Sequence, residues 1–215
     1  MVWIRNKWLL LVTHLGAMLP LAVLLFDWYM GDLTANPIRA ATLRTGKSAL
    51  VLLMLLLACT PLNTFLGLSW VLPLRRWLGI YASFYAGIHF AIFAGLDYGF
   101  DLVLLWNAIF EKRYAIAGFA SGIILLVLAI TSTQGWKKRL GNRWKQLHRL
   151  VYLAASLAVV HYVWLAKSNL GEPLLYSVIV VLLLVLRIPH ISRLGRRLRI
   201  FLTRKIINPP RIMIL

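Results

Sequence analysis

Five histidines stand out in a chain that is otherwise strongly apolar: His14, His89, His148, His161 and His190. The first four fall inside or at the edge of apolar runs, and His190 borders a basic tail. An ionisable side chain in hydrocarbon needs a reason to be there. Neutral imidazole is an axial ligand of haem iron, and two imidazoles from facing helices close a six-coordinate iron that favours electron transfer over oxygen binding. The plainer reading is that each histidine hydrogen-bonds a carbonyl or another polar group inside a helix bundle.

Depth along the helices separates these readings. His89 lies 12 residues after Trp77, and His161 lies 13 after His148, which sits beside Arg149. At about 1.5 Å per residue each is roughly 18–20 Å from the same boundary, provided that their two helices run in the same direction. His89 and His161 are therefore expected to face each other at similar depth as haem ligands. Thirteen residues are about 3.6 turns, so His148 points elsewhere and is a candidate for a second haem, for a quinone contact or for a plain interfacial histidine. At its depth the third apolar run offers Arg75 and Arg76, which could neutralise propionates or phosphates or could simply set topology. His14 is the other conceivable partner of an inner haem, and as a plainer reading a histidine bonded inside the bundle. His190 is read as solvated or lipid-facing.

The elements that must carry these residues are membrane helices. Of the 215 residues 61% are hydrophobic and 14% charged, against roughly 45–50% and 25% in soluble domains. Apolar runs near residues 8–28, 48–67, 77–96, 115–132, 148–165 and 173–190 are long enough to cross about 30 Å of hydrocarbon. The expected fold is an all-α integral membrane protein, one six-helix bundle over residues 1–215 with a short basic tail at 191–215. Pro20 and Pro61 fall inside runs and predict kinks, because neighbouring groups in a bundle satisfy freed carbonyls. No internal repeat or low-complexity stretch is evident.

The net charge of +18 does not point to nucleic acid, because the Lys and Arg residues lie between the apolar runs. Of 24 basic residues only Arg39, Arg44, Lys47, Lys112, Arg113 and Lys167 fall on one side. All six acids, Asp27, Asp32, Asp97, Asp101, Glu111 and Glu172, fall there as well. Basic loops stay in the cytoplasm, which places both termini there. Arg5 and Lys7 precede an apolar run as in a signal peptide, yet no small-residue cleavage site follows, so the run is read as a retained span. Cys59 is alone and mid-span, which excludes a disulfide framework and a thiolate cluster. No Gly-rich dinucleotide loop is present, and Gly46-Lys47-Ser48 lacks the first glycine of a phosphate-binding loop, Ala41 standing in its place. Electrons must therefore enter from a lipid quinol or a separate reductase and leave to a partner. The Trp residues near span ends read as an interfacial belt.

Several strings in order carry a family resemblance: Thr45-Gly46, Thr60-Pro61, Arg75-Arg76-Trp77-Leu78-Gly79, Tyr85-Ala86-Gly87-Ile88-His89, Thr131-Ser132-Thr133-Gln134, Arg143-Trp144-Lys145-Gln146-Leu147-His148 and His161-Tyr162. Over nearly the whole chain this resembles the ferric-reductase-like transmembrane family. The branch it resembles implies a haem b cytochrome of the bacterial inner membrane, with His89, His148 and His161 as its haem histidines. It further implies electrons drawn from the membrane quinone pool and passed to a periplasmic molybdenum-containing partner that reduces methionine sulfoxide in oxidised envelope proteins. FMN is implied by the resemblance alone, since no flavin-binding residues can be identified. A second histidine in the third span, as in the related NADPH oxidases, is absent, as is their cytosolic flavin and nicotinamide domain. The alternatives are a cofactor-free transporter or membrane scaffold, and a stand-alone ferric reductase. The basic tail is expected to anchor to anionic lipid, with docking of a cytosolic flavin reductase as the sharper reading.

Overall fold

In hydrocarbon a backbone must satisfy its own N–H and C=O groups, and apolar runs of this length do so as helices. A computed structural model describes residues 2–166 and 170–207. Lys167, counted above with the minority of basic residues, and the tail beyond Ile207 lie outside the described residues. Ten α-helices are described: α1 (Val2–Met30), α2 (Pro37–Leu66), α3 (Leu74–Ile92), α4 (Leu102–Phe110), α5 (Arg113–Ile130), α6 (Gln134–Leu140), α7 (Asn142–Leu147), α8 (Leu150–Leu165), α9 (Gly171–Val185) and α10 (Pro189–Ile207). Five segments are each long and apolar enough to span, ending in Asn142–Leu165, and a sixth crossing is supplied only by α9 and α10 taken as one pair, bent by 76° where they join. The protein is thus an all-α, multi-pass membrane protein. Contacts between spans show them alternating between a basic end and an acidic end: Asp27 pairs with Arg44, and Lys47 with Glu172, at the acidic end. Arg199 Nη1 donates to the Asn63 carbonyl at 2.7 Å at the basic one.

α2 is central, with Leu53 and Leu57 almost wholly buried, and it packs along α3, whose Ala82 and Tyr85 are equally enclosed. α5 and α8 form a second close pair around Ala154 and Ala155. A hydroxyl joins the pairs, Ser83 Oγ donating to the Leu125 carbonyl at 3.0 Å, and another ties α5 to α8 within the second, Ser121 Oγ donating to the Ala154 carbonyl at 2.9 Å. α1 lies at the edge, with Val12, Leu15 and Leu19 more than 60% exposed to what is lipid in the membrane.

Three boundaries differ from the sequence expectation. α2 begins at Pro37, well before the expected 48, because Asn36 caps it through the Arg39 N–H at 3.0 Å and Pro37 suits the first turn. Its cations Arg44 and Lys47 are neutralised by Asp27 and Glu172, so the charges that argued for a loop sit on the helix. α4 is an additional short helix, started by Asp101, whose side chain accepts from the N–H groups of Val103 and Leu104. Between α3 and α4 the chain widens into a π turn, Phe93–Asp97.

Both prolines lie within helices, as expected, and each is compensated by a side chain. Beside Pro20, the Tyr85 hydroxyl accepts from the Leu21 N–H at 3.0 Å and donates to the Ala17 carbonyl at 2.7 Å, inserting itself between the two groups that an undistorted ladder joins. Pro61 has no N–H for the Leu57 carbonyl four residues back. Arg187 Nη2 supplies the missing donor at 2.6 Å while its Nη1 donates to the Tyr152 hydroxyl at 3.0 Å.

Replacing Tyr85 by Phe leaves one N–H and one C=O unpaired in an apolar environment, and an unsatisfied buried group costs about 1–3 kcal/mol. Thermal or denaturant unfolding in detergent is expected to show a loss of that order; stability equal to the parent would remove the bridging role.

Candidate functional site

α3 and α8 run in the same direction, from the basic end to the acidic end, and bring His89 and His161 together. Their ring centroids are 6.1 Å apart and the ring planes are inclined by 84°. A metal–imidazole nitrogen bond is about 2.0–2.1 Å, and with the nitrogen roughly 1 Å from the ring centre, a metal between two opposed imidazoles separates their centroids by about 6 Å. The spacing fits a metal seated between the rings.

Each ring is held by the helix beside it. His89 Nδ1–H donates to the Thr42 carbonyl on α2 at 2.8 Å, and His161 Nδ1–H to the Tyr114 carbonyl on α5 at 2.7 Å. A carbonyl can only accept, so in both neutral rings the proton is on Nδ1 and Nε2 carries the lone pair. This is the outer hydrogen bond that orients metal-binding histidines and fixes their tautomer. One turn beyond each carbonyl stands a glycine against the ring. A Cβ on Gly46 would lie 2.9 Å from His89 Nδ1, and one on Gly118 would lie 2.5 Å from His161 Nδ1.

The two halves are one arrangement used twice. In both, the histidine follows its carbonyl partner by 47 positions, and Thr42, Gly46 and His89 recur as Tyr114, Gly118 and His161, each 72 positions later. Leu78, Ala82 and Ala86 of α3 match Leu150, Ala154 and Ala158 of α8 at the same offset, and Leu53 and Leu56 of α2 match Leu125 and Leu128 of α5. No repeat was evident from sequence because little besides these residues is shared; the lipid-facing positions accept any apolar side chain.

The same offset sets Arg76 in the place of His148. His148 is engaged elsewhere: it stacks on Trp144 with centroids 4.0 Å apart, and its Nε2 is 3.2 Å from Thr131 Oγ1. The Thr131 hydroxyl donates to the Val127 carbonyl at 2.7 Å, so its oxygen accepts from His148 Nε2–H. Arg76 lies over the Trp77 ring at 5.5 Å. Arg75 and Arg76 are in the first turn of α3, about 20 Å along the axis from His89, and the structure does not bring them to the histidine pair. His14 is hydrogen-bonded through Nδ1 to the Tyr81 hydroxyl at 2.8 Å, the plainer of its two readings.

The pair sits towards the acidic end. His161 is four residues, about 6 Å, from the end of α8 and eleven, about 17 Å, from its start. On that side an open depression of about 350 Å³ is lined by Lys112, Arg113, Tyr114 and Trp164. On the other flank Lys47, next to Gly46, pairs with Glu172, which also accepts from the hydroxyl of Tyr162, next to His161, at 3.2 Å. The glycines and these flanking groups were not singled out as site residues from sequence. The signal that could have found the glycines is the shared spacing of Gly46 and Gly118 ahead of the two histidines.

The model of the family described as ferric reductase like transmembrane component matches residues 45–159. Three relatives are each named protein-methionine-sulfoxide reductase heme-binding subunit MsrQ. That of Deinococcus radiodurans is 43% identical over 187 residues, 86% of this chain and 92% of the relative. That of Xanthomonas axonopodis pv. citri is 41% identical, covering 82% and 84%, and that of Rhodospirillum rubrum is 43% identical, covering 76% and 79%. No solved structure matches.

Gly118→Ala is expected to displace the His161 ring and lower the haem b retained per chain several-fold in a pyridine haemochrome assay. Gly122→Ala, where an added Cβ meets nothing within 4 Å, is expected to leave it unchanged. Equal retention in both variants would contradict the close approach.

Proposed function

The chain belongs to the MsrQ family of methionine-sulfoxide-reductase membrane subunits, within the ferric-reductase-like transmembrane proteins, and from that premise we propose that it binds one haem b between His89 and His161 and carries electrons through the membrane. The observation that carries this is the pair of imidazoles 6.1 Å apart, each with Nδ1–H committed to a carbonyl and Nε2 left as a donor to metal. A haem held there supplies reversible one-electron chemistry. The chain's own residues do the rest. The Thr42 and Tyr114 carbonyls fix the tautomer and orientation of the two rings. Gly46 and Gly118 let the helices approach closely enough for those hydrogen bonds, and the apolar bundle keeps water away from most of the site.

One haem is proposed because the repeat is complete in only one of its two levels. His148, a haem histidine by family resemblance, has its repeat counterpart in Arg76, and its Nε2–H is given to Thr131. It is therefore assigned to packing between α7 and the end of α5. Arg75 and Arg76 are assigned to topology and the headgroup region.

We assign the basic end to the cytoplasm of a bacterial inner membrane, which puts the histidine pair in the periplasmic half. From there electrons leave to a periplasmic acceptor, an MsrP-like molybdoprotein that repairs methionine sulfoxide in envelope proteins. Support comes from the short distance between His161 and the acidic end and from the open depression beside Tyr114. The relatives' printed name ties them to the same reductase system. The donor is assigned to the membrane quinone pool, since the chain contains no dinucleotide loop. A cytosolic flavin reductase at the basic end is the second donor class, and FMN rests on family resemblance alone.

An optical and haemochrome titration of the purified protein tests the reading. About one haem b per chain is expected, lost in His89→Ala and in His161→Ala and retained in His148→Ala. Because the ring planes are nearly perpendicular, the oxidised protein is expected to give a highly anisotropic low-spin EPR signal. Two haems per chain, or haem loss in the His148 variant equal to that in the other two, would overturn the single-site assignment.

A further inference from the structure

The last helix differs from every other in the protein. α9 has 15 residues, about 22 Å, less than the roughly 30 Å of a bilayer core. The chain then turns by 76° into α10. The turn is clamped from inside by Arg187, whose guanidinium is drawn into the bundle by the Leu57 carbonyl rather than reaching out to solvent. α10 carries Arg193, Arg196, Arg197, Arg199, Arg204 and Lys205, and no acidic residue occurs anywhere after Glu172.

The rotation of α10 about its axis is fixed. Gly195 is buried, with Phe65 of α2 filling the space where a Cβ would stand, and Arg199, one turn on, donates to the Asn63 carbonyl. At about 100° per residue three stripes roughly a third of a turn apart result, with Ile200, 49% exposed, the one apolar residue that falls in the basic stripe among those described beyond Gly195. Gly195 and Arg199 face α2. Leu194 and Leu198 form the second stripe and are 59% and 52% exposed. Arg193, Arg196 and Arg197 form the third and are exposed as well. A helix with one apolar and one basic stripe, bent out of line with the spans at the bundle's basic end, is built for a surface that is apolar on one side and anionic on the other.

We propose that α10 lies in the interface of the leaflet at the basic end, with Leu194 and Leu198 dipping into the acyl boundary and Arg193, Arg196 and Arg197 bound to the phosphates of anionic lipids. Charge complementarity selects this occupant. With the basic residues of α6, α7 and the first turn of α3 at the same end, and no acid among the loops there, the anionic leaflet is the available counter-charge. A soluble acidic protein would satisfy the arginines but would leave Leu194 and Leu198 in water. The inference is independent of the haem assignment.

The test uses the full chain in lipid nanodiscs, with Cys59→Ala and a single spin label at Leu198→Cys or at Arg196→Cys. Collision with oxygen, which partitions into lipid, is compared with collision with a water-soluble nickel chelate. In nanodiscs containing phosphatidylglycerol the label at 198 is expected to favour oxygen and the label at 196 the chelate, with a several-fold contrast. The contrast is expected to shrink in pure phosphatidylcholine, at high salt, and in the Arg193→Gln, Arg196→Gln, Arg197→Gln background, where the 198 label alone is read. Equal water access at both positions, shielding of both labels as a protein partner would produce, or a contrast indifferent to lipid charge would each overturn the proposal. A detergent melting curve matching the parent shows that the triple variant is folded, and a variant that melts earlier is replaced by the salt and lipid comparison on the parent chain.

Discussion

Two hydrogen bonds, each from an imidazole Nδ1–H to a carbonyl of the next helix, are what the rest of the structure is arranged to permit. Thr42 and Tyr114 provide the carbonyls, and both belong to helices whose own ladders already use one lone pair of the same oxygen. A second donor can reach those oxygens only if nothing stands between the helix surface and the ring, which is why a glycine follows one turn later in each case. In water an imidazole would find a solvent partner for either nitrogen. In hydrocarbon the carbonyl is the partner at hand, and committing Nδ1 to it leaves Nε2 of each ring with its lone pair free. The geometry of the pair is thus a consequence of backbone chemistry as much as of the histidines themselves.

The same pressure to pair backbone polar groups where there is no water accounts for the two proline sites. Each proline weakens a helix ladder at one position, and in each case a long side chain from elsewhere in the bundle reaches a carbonyl at or next to that position. Tyr85 comes from α3 to α1, and Arg187 from the α9–α10 turn to α2. These are links between spans that apolar packing alone does not specify, since lipid tails compete equally for apolar surface. The peripheral α1 makes little buried contact, so the Tyr85 bridge also determines where along α3 it sits.

The sequence disclosed the class, the first five spans and the similar depth of His89 and His161, because hydropathy and helical rise are properties of short segments. It disclosed less where long-range pairing decides. Arg44 and Lys47 read as loop charges until Asp27 and Glu172 are seen to neutralise them, and α2 therefore extends further than hydropathy suggests. α4 is too short to register as a span, and α10 is too charged. The 72-residue correspondence is faint in the sequence because its shared residues are a glycine, a histidine and a few small or leucine positions, spread over two hairpins. Its meaning lies in the carbonyl partners, and a backbone carbonyl has no residue type.

The off-centre position of the histidine pair has an electrical consequence. His161 stands about three quarters of the way along α8 from its basic end. A full membrane crossing by one elementary charge is worth about 2.3 kcal/mol per 100 mV of potential, so the stretch from the basic end to the pair corresponds to roughly 1.7 kcal/mol. Under the proposed orientation, with that end in the negative cytoplasm, a negative charge moving outward to the pair is driven by the resting potential and spends part of it. A donor that meets the pair from the lipid at its own depth moves almost no charge through the field. The choice of donor therefore decides whether the protein draws on membrane voltage or is indifferent to it.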